Sequence, residues 1–168
     1  MSLYFGKYRG KVTNNLDPSS LGRLQVSVPA VFGEFPLNWA EPCVPFAGMS
    51  TGFYAMPPIG ANVWVEFEGG NPEKPIWSGC FWGTGEVPAL ALATPAAVSH
   101  VLIQTTAMTL LQLNDKPTPP DGGIMLKTAT GAMILINSEG ITLSNGQGAV
   151  IIMNKNTVSI NGVALVVT

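Results

Sequence analysis

The last third of the chain repeats itself, and this repeat restricts the possible folds more than any other feature of the sequence. Between 101 and 168 short apolar runs recur, and a second apolar run follows each of them in the same register. The second and third steps of the repeat are 17 residues long, whereas the first is 23 residues long because 116–122 is inserted. A fixed period of paired short strands predicts a β-solenoid or a stacked β-helix. The runs that open the four repeats are Val101-Leu-Ile, Ile124-Met-Leu, Ile141-Thr-Leu and Val158-Ser-Ile.

The strand pattern and the charge of this region indicate that several copies of the chain assemble around a common axis. Ile134-Leu135-Ile136 is apolar at consecutive positions, which point to opposite faces of a strand, so both faces require cover. Since a charge near a shared axis would meet its own copies, few charges are expected there. From 123 to 168 the sequence has only three, Lys127, Glu139 and Lys155.

We therefore predict an all-β fold in which 101–168 forms an intertwined, homotrimeric β-helix. Closing the strands around an axis also removes exposed sheet edges. About seven strands per chain, spaced about 4.8 Å apart, would make a rigid prism. The alternative from the repeat alone is a monomeric β-solenoid.

The high apolar content could reflect either a membrane segment or burial between subunits, and the sequence favours burial between subunits. The chain is 46% hydrophobic and only 11% charged, with a mean hydropathy of +0.31. Its longest uncharged apolar tract, 87–103, is interrupted by Pro88 and Pro95, which is unsuitable for a spanning helix. We therefore expect no transmembrane segment.

The N-terminus lacks the pattern of a secretory signal, so we expect synthesis in the cytoplasm. A net charge of −2 gives no electrostatic signal for nucleic acid.

The first half of the chain is predicted to form a small barrel over 1–85. Apolar and polar residues alternate with the two-residue period of half-buried strands, and no helical period is present. Turn residues and prolines separate five such segments, as expected for a Greek-key barrel of the OB type, closed or partly open. The segment 86–100 is rich in Ala, Leu and Pro and is predicted to be an extended connector. The five predicted strands are 3–13, 21–28, 38–44, 62–68 and 74–82.

Several short motifs follow one another along the predicted barrel. They are Arg9-Gly10-Lys11-Val12, Asp17-Pro18, Leu21-Gly22-Arg23-Leu24, Gly60-Ala-Asn-Val63 and Pro75-Ile-Trp77. In this order they resemble the OB domain of the phage baseplate assembly protein V family. That family forms the central spike of contractile phage tails and is related to the VgrG-type spikes of contractile injection systems. The end of the chain, including Asn137 and Glu139-Gly-Ile-Thr-Leu143, is similar to the triple-stranded β-helix of the same proteins.

The resemblance implies a structural protein of a virion or injection-particle baseplate. The expected assembly is a homotrimer whose OB domains dock on the baseplate hub and whose β-helix pierces the target envelope. The hub-docking candidates are Lys7, Arg9 and Lys11, and the partner expected at the apolar C-terminus is a PAAR-type tip protein. The residues predicted to receive that tip protein are Leu165, Val166, Val167 and Thr168.

Candidate chemical sites are few. Glu66 and Glu68 are two residues apart on one predicted strand, and paired carboxylates can hydrolyse glycosidic bonds, but a solvated barrel surface is the preferred interpretation. His100 could meet its two copies around a metal in a trimer, yet a surface or packing role is the preferred interpretation. Cys43 and Cys80 are expected to be buried thiols and not a disulfide. No cofactor, metal or catalytic residue is predicted, and we do not expect an enzyme.

A second class of function remains open. Lys7, Arg9 and Lys11 alternate along one strand with Tyr8 nearby, a pattern that could bind single-stranded nucleic acid on an OB face. The acidic balance of the remaining chain disfavours nucleic acid. The alternative to a spike is therefore an oligomeric OB-type module that binds a glycan or a nucleic acid and is carried on a β-helical stalk.

Overall fold

The computed structural model describes 2–116, 122–162 and 164–167 of the chain. The chain divides into two compact units, Met1–Glu86 and Val87–Thr168. Both units are built mainly from β-strands. Among the described residues each unit has one four-residue α-helix, and the first also has a 3-10 helix, Glu68–Gly70. No helix in the described part of the chain is long and apolar enough to cross a membrane.

The first unit contains the strands β1 (Tyr8–Asn14), β2 (Gln25–Val28), β3 (Gly33–Pro36), β4 (Glu41–Pro42), β5 (Ala47–Gly48), β6 (Thr51–Gly52), β7 (Asn62–Phe67) and β8 (Pro75–Cys80). Six of them form a sheet with the order β3-β2-β1-β7-β8-β4. Neighbouring strands are antiparallel except β4 and β8, which are parallel. Strands β5 and β6 form a separate hairpin, and helix α1 (Pro29–Phe32) joins β2 to β3.

The core of this unit follows from the alternation in its strands. Val63, Val65 and Phe67 point inward from β7, and their polar or larger neighbours point outward. Gly10 allows β1 to pack closely against the side chain of Val65 on β7, because a Cβ at position 10 would lie only 2.9 Å from a methyl group of Val65. The fully buried side chains Leu24, Val26 and Val28 complete the centre of the core.

The sheet of the first unit is open. Its edge strands β3 and β4 do not pair with each other. A single bridge between Leu24 and Ala40 links the segments that lead into β2 and β4, through N–H···O distances of 2.7 and 3.1 Å. Of the two barrel forms predicted from the sequence, the structure therefore resembles the partly open one.

The second unit is a meander of eight antiparallel strands, each paired with the next along the chain. Helix α2 (Ala89–Leu92) precedes it. The strands are β9 (His100–Gln104), β10 (Leu110–Asn114), β11 (Gly123–Lys127), β12 (Met133–Asn137), β13 (Gly140–Ser144), β14 (Val150–Asn154), β15 (Thr157–Ile160) and β16 (Leu165–Val167).

The all-β prediction holds, but the structure does not show the intertwined β-helix. Each strand of the second unit pairs with strands of its own chain in one open sheet, because short turns place consecutive strands side by side. Within the described part of this unit the sheet has eight strands where about seven were predicted, and these strands do not form the stacked coils of a monomeric solenoid.

The segment before this sheet is not simply extended. It contains α2, and it contacts the first hairpin through two hydrogen bonds. Asn114 Nδ2 donates to Thr94 Oγ1 at 3.0 Å, and the backbone N–H of Asp115 donates to the carbonyl of Ser99 at 3.0 Å. The polar side chain of Asn114 is buried beneath this segment.

Candidate assembly surface

One face of the C-terminal sheet is apolar across all eight strands. Residues directly opposite each other on antiparallel strands lie on the same face, so the register identifies two complete rows. We call these two rows the apolar face. The first row is Val101, Leu113, Ile124, Ile136, Ile141, Met153, Val158 and Val167, and the second is Ile103, Leu111, Leu126, Ile134, Leu143, Ile151, Ile160 and Leu165.

The opposite face, which we call the mixed face, combines polar and apolar side chains. Its central row contains Gln112, Thr142 and Ser159 between apolar residues, and Lys127 lies in a flanking row. The other two charged residues of 123–168, Glu139 and Lys155, lie in turns. The apolar face therefore carries no charge.

The apolar face is open to solvent in the single chain. Ten of its sixteen side chains are classed as exposed, from Val158 at 37% to Val167 at 57%. Soluble proteins rarely expose a continuous apolar surface of this extent unless it is an interaction site. The face is therefore the strongest candidate for an assembly surface in the described part of the chain.

A second surface, on the outer side of β1 and β7, holds the three predicted hub-docking residues. Lys7 forms an exposed ion pair, because its Nζ lies 3.2 Å from Glu66 Oε1, and it donates to Ser78 Oγ at 2.8 Å. Arg9 stacks on two aromatic rings, with Cζ 5.0 Å from the centroid of Trp64 and 4.6 Å from that of Phe81. Lys11 is exposed and lies opposite Asn62 on β7.

Comparison with protein families supplies the decisive observation. The model for the type VI secretion system and phage-baseplate injector OB domain matches 8–82, and the model for the phage baseplate V C-terminal trimerisation domain matches 100–166. The chain belongs to the baseplate V and type VI secretion spike family. This confirms the resemblance noted from the sequence. A search among proteins of curated function found no match.

The apolar face lies almost entirely within the family's trimerisation domain. The match to the trimerisation domain covers both apolar rows except Val167, and it supports a homotrimer. The match to the OB domain covers Arg9, Lys11 and the rings below Arg9. A baseplate V protein is a structural component of a phage or type VI injection machine, which agrees with the expected place in a virion or injection particle.

The predicted tip-docking residues lie at the end of the sheet. Leu165 and Val167 belong to β16, are exposed, and extend the apolar face to the last strand. The backbone of Val166 lies between them in the same strand. Thr168 lies outside the described residues.

The remaining candidate sites are dispersed. His100 pairs with Asn114 at the start of β9 and lies on the mixed face, away from the apolar rows. Glu66 and Glu68 do not share a strand, because β7 ends at Phe67, and each forms an ion pair with a different lysine. Within 2–116, 122–162 and 164–167, no group of three or more His, Cys, Asp or Glu side chains could hold a metal ion.

The prediction that the two cysteines are buried is wrong. Cys43 and Cys80 are both free and exposed. Cys43 lies in the loop after the two-residue strand β4, and Cys80 is the last residue of β8, beyond the reach of β4. Partial burial still raises the pKa of the Cys80 thiol.

Sequence reasoning missed two features of the first unit. The stacking of Arg9 on Trp64 and Phe81 depends on the pairing of β1 with β7, which no local pattern reveals. An apolar hollow of about 280 Å³ lies between Trp77 and the loop that carries Tyr54 and Met56. The only signal for this hollow in the sequence was the unusual apolar content of that loop.

Proposed function

We propose that this protein is the structural central spike of a contractile tail or injection machine. In this proposal three copies turn their apolar faces toward a shared axis, the OB domains dock on the baseplate hub, and the C-terminal domain leads into the target envelope. The observation that carries the proposal is the uninterrupted, uncharged apolar face within a trimerisation domain.

The energetics of the apolar face favour assembly of this kind. Burial of the exposed half of an Ile or Leu side chain contributes roughly 1 kcal/mol. The ten exposed apolar side chains of this face per chain therefore supply a large driving force against the entropy cost of association. A charge at any of these positions would meet its two copies in a poorly solvated environment.

The mechanical role is supported by the way the sheet is built. Every strand from β10 to β15 is hydrogen-bonded on both sides within its own chain. The turns between β12 and β15 are short, so little of this region could open locally under load. A trimer of such sheets would be a rigid body suited to transmit force along its axis.

The two ends of the spike have different proposed partners. The hub is expected to contact the surface of the OB domain that contains Arg9 and Lys11. A PAAR-type tip protein is expected at Leu165 and Val167, which are exposed on the last strand, together with Val166 and Thr168. The role requires no catalytic residue and no cofactor.

The alternative is an oligomeric binding module for a glycan or a nucleic acid. The apolar hollow beside Trp77 and Tyr54 favours a glycan over a nucleic acid, because aromatic rings pack on sugar faces and the net charge of the chain is negative. Such a module would need its ligand surface on the barrel and no partner at the C-terminus.

Two measurements test the proposed function. The solution mass of the full chain should be about three times its 17.7 kDa, and a fragment ending at Glu86 should be monomeric. Antibodies against 140–162 should label one end of intact particles from the producing strain, at the tip of the tail. A monomeric full chain, or particles without label, would overturn the spike and favour the binding module.

A further inference from the structure

We propose that Arg9 and Lys11 form a recognition site for two carboxylates on an extended acidic segment of the hub. The inference rests on the proposed function, since it names the chemistry of the partner at the docking surface. It assigns separate roles to three basic residues that were equivalent in the sequence.

Arg9 is prepared for a carboxylate partner. Its guanidinium lies over the rings of Trp64 and Phe81, whose centroids are 4.7 Å apart, and this cation–π contact holds the group in place. Within the described part of the chain Arg9 forms no ion pair and no side-chain hydrogen bond. A fixed, planar set of donors without a partner matches the two oxygens of a carboxylate.

Lys11 supplies the second charge on the same face. It lies two residues after Arg9 on β1, a distance of about 6.8 Å along the strand. Among the described residues Lys11 has no ion pair, and the nearby Glu86 instead accepts hydrogen bonds from Asn62 Nδ2 and the backbone N–H of Gly83. The spacing matches two acidic side chains at alternate positions of an extended peptide.

Lys7 is not part of this site. Its Nζ already pairs with the carboxylate of Glu66 on β7 at 3.2 Å. Of the three basic residues on this surface, only Arg9 and Lys11 have no ion pair among the described residues. A partner strand would therefore align its two acidic side chains with these two residues.

The same geometry disfavours a single-stranded nucleic acid. Binding of that kind uses aromatic rings as platforms for bases. On this face Arg9 already covers Trp64 and Phe81. Two unpaired cations, one of which already covers Trp64 and Phe81, fit carboxylates better than phosphates with stacked bases.

The test uses the full-length protein and a labelled, end-capped octapeptide in which Glu alternates with Thr, measured by fluorescence anisotropy at low ionic strength. Arg9→Gln should weaken binding by about 10-fold or more, and Lys11→Gln by roughly 3- to 10-fold. Arg9→Lys should fall between Arg9→Gln and the unchanged protein, because it keeps the charge and loses the planar donors. The matched control is Lys74→Gln on the same domain, which should bind as the unchanged protein does.

The outcomes separate this inference from the proposed function. Equal binding by Arg9→Gln and the unchanged protein, or equal binding of a peptide with Gln in place of Glu, would overturn the carboxylate site even if the protein is trimeric. Tighter binding of a single-stranded DNA 12-mer than of the acidic peptide would overturn it as well. Selective peptide binding by a monomeric protein would instead support the site and contradict the spike. The tryptophan emission spectrum of each variant verifies that the domain is folded.

Discussion

Ile136 and Ile152 expose nearly equal fractions of their side chains, 41% and 39%, but they lie on opposite faces of the C-terminal sheet. Ile136 belongs to the apolar face, whereas Ile152 lies opposite Thr142 on the mixed face. The two residues match in type and in exposure. Replacing each of them with Asp therefore distinguishes an effect on assembly from an effect of the new charge on the single chain.

Ile136→Asp should prevent assembly of the trimer. Three carboxylates would be brought together on the shared axis, where each costs several kcal/mol unless it is neutralised. Ile152→Asp should leave the trimer intact, since its side chain points away from that axis. Sedimentation equilibrium of both variants measures the difference. Trimeric Ile136→Asp would show that the apolar face is not the interface. Loss of assembly in both variants would assign the effect to the new charge on the single chain and would contradict the predicted difference between the faces.

Gly140 is required by the close approach of two strands. A Cβ at this position would overlap the carbonyl oxygen of Met153, and the backbone has a φ of +141°. Gly140→Ala should therefore destabilise the C-terminal domain by roughly 2–4 kcal/mol. The measurement is thermal unfolding of the full chain followed by far-UV circular dichroism.

Gly148 provides the control for Gly140. Its φ is +104°, but a Cβ there would have no atom within 4 Å. Gly148→Ala should cost only the backbone strain of about 1 kcal/mol. Equal losses of stability in the two variants would mean that backbone strain, and not the overlap with Met153, accounts for the effect of Gly140→Ala.

The sequence was sufficient to locate the strands of the second unit but not to assign their faces. The runs that begin at Ile124, Ile141 and Val158 lie in β11, β13 and β15, as the 17-residue repeat predicts. The apolar run at Ile134-Leu135-Ile136 suggested two covered faces. The register shows that only one face is continuously apolar, because the partners of Leu135 on the neighbouring strands include Thr142.

The first unit shows a different limit of sequence analysis. The alternation over Val63, Val65 and Phe67 predicted a half-buried strand, and these residues are buried in β7. The partner of Trp64 could not be predicted in the same way, since Arg9 is far away in the chain and meets it only through the β1–β7 register. The proposed hub-docking surface therefore depends on a long-range pairing that local patterns do not encode.

Asp17 should contribute to stability above acidic pH. The hydrogen bond from the Arg23 guanidinium, together with bonds from the backbone N–H groups of Ser19, Leu21 and Arg23, holds the pKa of Asp17 well below its usual range. Because the pKa is lower in the folded state, the ionised carboxylate of Asp17 stabilises the fold. This contribution is complete above the unfolded-state pKa of about 3.9 and is lost as the pH falls below that value toward the folded-state pKa.

Asp17→Asn should lower the unfolding midpoint of the first unit by a constant amount between about pH 5 and pH 8. The difference from the unchanged protein should shrink as the pH falls below about 4. Tryptophan fluorescence measures this unit selectively, because all four tryptophans lie within 39–82. The control is Glu34→Gln, an exposed acidic residue without an ion pair in the described part of the chain. A pH-independent difference for Asp17→Asn would contradict the prediction.

Trp77 links β8 to the loop before β2. Its Nε1 donates to the carbonyl of Gly22 at 3.1 Å, and both residues are buried. Trp77→Phe removes the donor and leaves a buried carbonyl without its partner, so the first unit should lose about 1–3 kcal/mol of stability. The matched control is Trp82→Phe, because Trp82 is 66% exposed and its replacement should change stability by about 0.5 kcal/mol or less. Urea unfolding followed by the fluorescence of the remaining tryptophans measures both variants, and equal midpoints would show that the bond to Gly22 does not stabilise the domain.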